Sequence, residues 1–292
     1  MIEMIIDKLF DRVEHFGNVC IGLDTAPDYI PEAIKAQKEN VQDRLFEFNR
    51  RIIDATKDIA ACYKVQIAYY EAQGLRGLQA YAKTVSYIGD LKIPVIGDVK
   101  RGDIAKTAQM YAKAHFSGDF EVDAITVNPY LGIDTLEPYY DYLKKGKAIF
   151  VLLKTSNPGS GTVQNILSKD GKTVYETLGE RLMEEGQQHM GSYSFSSVCA
   201  VVGCTHAQEG ERLRQKMPNT FFLIPGYGAQ GGKAEDLKGY LTNGNGGIVN
   251  SSRGIILAYR RDNPDNLPFD EASRRAAINM RDKIKQAAGR ND

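Results

Sequence analysis

Long apolar runs are missing from this sequence. Nowhere in its 292 residues do about 18 apolar side chains follow one another, so no membrane-spanning helix is expected. Charge of one sign is not in excess either. Lys plus Arg number 37 and Asp plus Glu 37, which argues against a nucleic-acid or membrane-surface partner but allows a local basic pocket. Cysteine is scarce: Cys20, Cys62, Cys199 and Cys204 form no Cys-x-x-Cys pair. Most sit in apolar strand-like runs, so reduced structural thiols and a cytoplasmic location are expected. Histidine is as scarce, and His15, His115, His189 and His206 show no metal-ligand spacing, so no structural zinc site is expected. The opening stretch "MIEMIIDKLFDRVEHFG" is amphipathic and carries acids, without the basic start and long apolar core of a signal peptide.

Short apolar runs are plentiful. They are "NVCIGLD" (18–24), "CYKVQIAYY" (62–70), "IPVIGDVK" (93–100), "VDAITVNPY" (122–130), "AIFVLLKTS" (148–156), "VCAVVGCT" (198–205), "TFFLIPGYG" (220–228) and "GIVNSSRG" (247–254). Their length and β-branched content suit buried parallel strands. Helix-like stretches lie between and after them, at 41–59, 73–90, 104–117, 134–146, 174–190, 207–217, 233–242 and 270–288. Asp103 and Asp134 read as N-caps of two of these. Eight alternations predict a (β/α)8 TIM barrel forming a single domain over 1–292; a doubly wound open sheet is the alternative, and it does not account for the number eight. Two connections are long, 25–40 and 157–173, with more Ser-rich chain at 191–197, and such loops are commonly functional.

The predicted strand ends are polar. Asp24 closes the first, Lys64 lies on the second, and Asp98 and Lys100 lie on the third. Asp98 and Lys100 are two apart and so face one side of a strand. If strands pair in sequence order, Asp24, Lys64, Asp98 and Lys100 make a row of alternating charge. Such a row is either a structural ion-pair network or a catalytic one, and the desolvation cost of charges in a barrel mouth favours function. A second site is suggested by "PGYGAQGGK", whose Gly226, Gly228, Gly231 and Gly232 allow backbone N–H groups to approach an anion. Arg253 in "SSRG" can hold a phosphate bidentately, and barrel phosphate sites commonly form after strands 7 and 8.

The signature Asp98-x-Lys100-x-x-Asp103, within "DVKRGDIAKTA", resembles that of the orotidine 5′-phosphate decarboxylase family. "GLD" at 22–24, "YKVQ" at 63–66, "SNPG" at 156–159, "PGYGAQGG" at 225–232 and Arg253 extend the resemblance over almost the whole chain, in the manner of the longer bacterial branch. The resemblance implies decarboxylation of orotidine 5′-phosphate without a cofactor or metal. Asp24 would bind the ribose hydroxyls, and Lys64 would sit in the charged network and touch the ribose. Asp98 would lie beside the substrate carboxylate. Lys100 would be the proton donor, kept charged by the flanking acids. Asp103 and Thr107 would reach the neighbouring subunit's site in a homodimer with shared active sites. Ser156 would contact the pyrimidine and Gln230 would bridge base and phosphate. Arg253, with the backbone around Gly228, would hold the phosphate. Two other readings remain open: a magnesium-dependent sugar-phosphate decarboxylase or aldolase sharing the core signature, and a nucleotide-binding barrel that does not catalyse. "KRGDI", "SNPG" and "GAQGG" favour the nucleotide substrate.

Overall fold

The computed structural model describes residues 3–205, 207–228, 231–261 and 263–289. Eight parallel strands run β1 Val19–Gly22, β2 Cys62–Gln66, β3 Val95–Arg101, β4 Ala124–Val127, β5 Ala148–Lys154, β6 Ser196–Val202, β7 Thr220–Ile224 and β8 Gly247–Ser251. Each pairs with its successor, and β8 returns to β1 through Val19–Val249, Cys20–Asn250 and Ile21–Ser251. The barrel is therefore closed, in sequence order, as expected.

The helices are α1 Ile5–Phe16, α2 Glu32–Gln37, α3 Val41–Thr56, α4 Ile67–Glu71, α5 Gly74–Asp90, α6 Ala105–Phe116 and α7 Glu137–Leu143. They continue as α8 Gly161–Gln164, α9 Val174–Gly186, α10 Ala207–Lys216, α11 Arg253–Ile256, α12 Ala258–Arg261 and α13 Phe269–Ala287. Three expectations change. The run 62–70 divides at Gln66, whose side chain accepts the Ala68 N–H and starts α4; Ile67 and Tyr70 then bury one helical face. The stretch 233–242 holds a 3-10 turn, Glu235–Tyr240, rather than an α-helix. Neither Asp103 nor Asp134 is an N-cap. Ile104 occupies that position before α6, with Asp103 bonded to its N–H, and Asp134 lies within a 3-10 turn at Ile133–Leu136.

Side chains alternate along the strands, and the barrel sorts them into two cores. Val19, Ile21, Tyr63, Val65, Ile149, Val151 and Leu153 face outward into one large cluster under the helices. Cys20, Cys62, Ile96, Ala124, Phe150, Cys199, Phe221 and Ile248 face inward and fill the barrel. Helix α1 closes its lower end with Ile5, Ile6, Leu9 and Val13. All four cysteines are free and buried; three of them are the small side chains that let this interior close. The apolar filling ends where the charged residues begin, so the next inward positions point into the upper mouth.

Candidate active site

Lys64 stands two residues above Cys62 on β2, and Asp98 two above Ile96 on β3. Both take the inward direction of the residue below. The Lys64 Nζ lies 2.6 Å from Asp98 Oδ2 and 3.4 Å from Asp24 Oδ1. The Lys100 Nζ lies 2.5 Å from Asp98 Oδ1. Asp24, Lys64, Asp98 and Lys100 thus form one continuous chain of opposite charges across β1, β2 and β3.

Simple alternation does not carry Lys100 to this place. The β3–β4 pairing shifts register between Gly97 and Arg101, and Lys100 has a left-handed backbone, φ 43°. Thr126 on β4 stabilises that irregularity. Its Oγ1 accepts the N–H of Val99 (3.0 Å) and of Lys100 (2.9 Å) and donates to Asp98 Oδ1 (3.0 Å). The bulge re-aims the lysine over the carboxylate, a common use of bulges beside functional sites. The side chain of Lys100 remains 48% exposed, against 4% for Lys64 and 8% for Asp98. Lys100 is therefore the most open member of the row, ahead of Asp24 at 22%.

Burial on its own would raise the Asp98 pKa. The ammonium groups of Lys64 and Lys100 outweigh it and hold the carboxyl well below the usual carboxylate range. Burial likewise pulls Lys64 down, but Asp24 and Asp98 reverse this and raise it above the ordinary lysine value. Each buried charge is kept ionised by its neighbours, which meets the desolvation cost of placing them there.

The other expected residues take varied positions. Asp103 stands outside the row: its carboxylate accepts the Ile104 N–H (2.8 Å), and among the described residues no ion pair joins it to Lys100. Thr107 is exposed on α6 close by. Ser156 follows β5, with Gly203 packed so closely that a Cβ there would lie 2.8 Å from the Ser156 Cβ. Arg253 starts α11 after β8 and is exposed. It acts through space on Tyr69, which also feels Asp24, so the arginine shares the mouth with the charged row. Gly228, at φ 69°, turns the chain after β7, and its N–H donates to the Gly232 carbonyl. Gln230 lies outside the described residues. Thr126 is the functional residue the sequence does not announce. It is a threonine within an apolar strand, and only the β3–β4 register reveals its part.

Comparison with known proteins then places the chain. A model of the orotidine 5′-phosphate decarboxylase / HUMPS family matches residues 17–263. The chain belongs to that family. The match takes in every strand of the barrel, from β1 to β8. Among curated relatives, the orotidine 5′-phosphate decarboxylase of Clostridium tetani is 57% identical over 285 residues, covering 97% of this chain and 99% of that protein. The solved OMP decarboxylase of Leishmania donovani superposes with a TM-score of 0.78 at 31% identity, covering 98% of this chain and 99% of that one. The UMP synthase of the same organism gives 0.79 at 32% identity, and there the chain spans 57% of the longer protein. Both solved structures share the closed barrel of this decarboxylase family member.

Proposed function

We propose that this chain decarboxylates orotidine 5′-phosphate to uridine 5′-phosphate and CO2, the last step of UMP biosynthesis, with Lys100 as proton donor. The observation that carries the role of Lys100 is its ammonium, anchored on Asp98 by a bulge yet open to the mouth. Breaking the C6–carboxylate bond leaves an electron pair on C6 as CO2 departs. A fixed ammonium stabilises that developing charge and then transfers its proton to C6. Asp98 serves by position: Lys64 and Lys100 each take one of its oxygens, so the carboxylate is locked and Lys100 needs no reorganisation. Asp24 and Lys64 bind the ribose, Ser156 the pyrimidine, and Arg253 with the backbone at Gly228 the phosphate, while Gln230 bridges base and phosphate. Phosphate binding is remote from C6 and supplies energy for positioning. Asp103 and Thr107 complete the site of a second copy, in a dimer of cytoplasmic location whose chains are each one domain over 1–292.

The deciding experiment follows the ultraviolet absorbance of orotidine 5′-phosphate with chelator-treated protein. Conversion to uridine 5′-phosphate is expected without added metal, and Lys100→Ala should lower kcat by at least about 100-fold while uridine 5′-phosphate still binds. Folded protein that binds uridine 5′-phosphate without turnover would point to a binding barrel. Turnover of a sugar phosphate that requires magnesium would point to the metal-dependent relatives. Asp98 bears on the latter: an added divalent ion would have to displace one of two ammonium groups from its oxygens.

A further inference from the structure

Lys154, the last residue of β5, is 1% exposed, and among the described residues no carboxylate lies within ion-pair distance of it. Burying an ammonium without such a partner is costly, and an apolar side chain would fill the same space more cheaply. Burial lowers its pKa, and Glu209 on α10 opposes this only through space. The Nζ instead donates to Asn165 Oδ1 at 2.7 Å and lies 5.2 Å from the centre of the Tyr175 ring.

Asn165 belongs to the long connection between β5 and α9. From 157 to 173 only Ser160 is buried, while Val163, Ile166 and Leu167 are exposed. This connection has almost no apolar anchor, and its hold on the barrel is polar. Gln164, next to Asn165, accepts the Thr155 N–H at 3.0 Å and donates to Thr155 Oγ1 at 2.9 Å. Consecutive residues of the connection thus grip Lys154 and Thr155, the two residues before Ser156. From the other side the Gly203 N–H donates to the Lys154 carbonyl at 2.7 Å, and Gly203 abuts Ser156.

We propose that Lys154 is a positioning residue: with Asn165 and Gln164 it fastens the 157–165 connection to the end of β5 and fixes where Ser156 stands in the mouth. This rests on the decarboxylase reading, with Ser156 on the pyrimidine side of the substrate. The test uses Lys154→Met, Asn165→Ala and the double variant. Asn165 is exposed, so its variant folds even if the lysine variant does not. Each single variant should lower kcat/KM for orotidine 5′-phosphate about tenfold or more, and the double should be no worse than the worse single. Competitive inhibition by uridine 5′-phosphate should weaken with it, while inhibition by ribose 5-phosphate, which lacks the base, stays within about twofold of wild type. Trypsin should cut after Lys169 faster in the variants than in the wild type. Wild-type kcat/KM in Asn165→Ala, or equal loss of both inhibitors, would overturn the proposal. An inactive wild-type protein would instead overturn the decarboxylase reading, and the trypsin rates would still judge the grip.

Discussion

At the residue scale the site depends on a side chain that never faces substrate in the proposed chemistry. Thr126 satisfies two backbone N–H groups of a left-handed bulge and one oxygen of Asp98 with a single hydroxyl. Thr126→Val keeps the shape and removes that hydroxyl. The buried N–H of Val99 and the part-buried N–H of Lys100 then lose this acceptor, at about 1–3 kcal/mol for each group that stays unsatisfied. We expect a loss of roughly 2–4 kcal/mol in urea unfolding. A fall in kcat should accompany it, because Lys100 is no longer held over Asp98. Thr126→Ser should retain most of both. A Val variant matching the wild type in stability and kcat would show that the bulge holds without the hydroxyl. The charged row itself was readable in the sequence, since Asp24 and Lys100 close apolar runs, Asp98 stands two residues before such an end, and Lys64 interrupts another run. The bulge was not, because period-two alternation predicts the side of a strand but carries no information on where the register slips.

At the element scale, the joint between β3 and α6 sets the direction in which the signature segment leaves the barrel. Arg101, at the end of β3, donates from Nε to His115 Nε2 on α6 (3.3 Å) and from its guanidinium to Glu71 on α4 (3.2 Å). His115 is 2% exposed, and burial, with Arg101 adding to it, lowers its pKa from 6.5 to about 4. Between those values the unfolded chain binds a proton that the folded chain refuses. Stability must therefore rise with pH across that window and fall as the pH drops from 6.5 toward 4. The contribution is up to about 3 kcal/mol. His115→Gln should flatten this part of the stability profile by urea unfolding, and parallel profiles for the two proteins would contradict it. At this scale the alternation of strands and helices was legible because buried parallel strands need continuous apolar runs. Boundaries were less so. Tyr69 and Tyr70 extend the apolar run of β2 but belong to α4, and apolar content alone does not separate a strand from the short helix that follows it. The grip of Gln164 and Asn165 on β5 was equally hidden, being made by polar residues in a connection with no periodicity.

At the scale of the whole molecule, large apolar side chains stand exposed on the segments that follow β2, β3 and β4. Leu75 at the start of α5, Ile104 and Met110 around α6, and Tyr130 and Leu131 after β4 are large apolar side chains open to solvent. All follow the C-terminal ends of β2, β3 and β4, as do Asp103 and Thr107. Exposed apolar side chains grouped this way suit a partner surface. A second copy that presents Asp103 and Thr107 across a two-fold axis would bury both surfaces at once. The expected outcome is a dimer by light scattering at micromolar concentration, with Lys100→Ala and Asp103→Ala each of low activity. Unfolding and refolding the two together should then restore about one quarter of wild-type activity, because half the dimers are mixed and each holds one intact site. The unmixed variants share no such route. Mixed dimers, verified by differently tagged chains, that stay inactive would place Asp103 in the site of its own chain, and a monomer would leave the apolar surface to some other occupant.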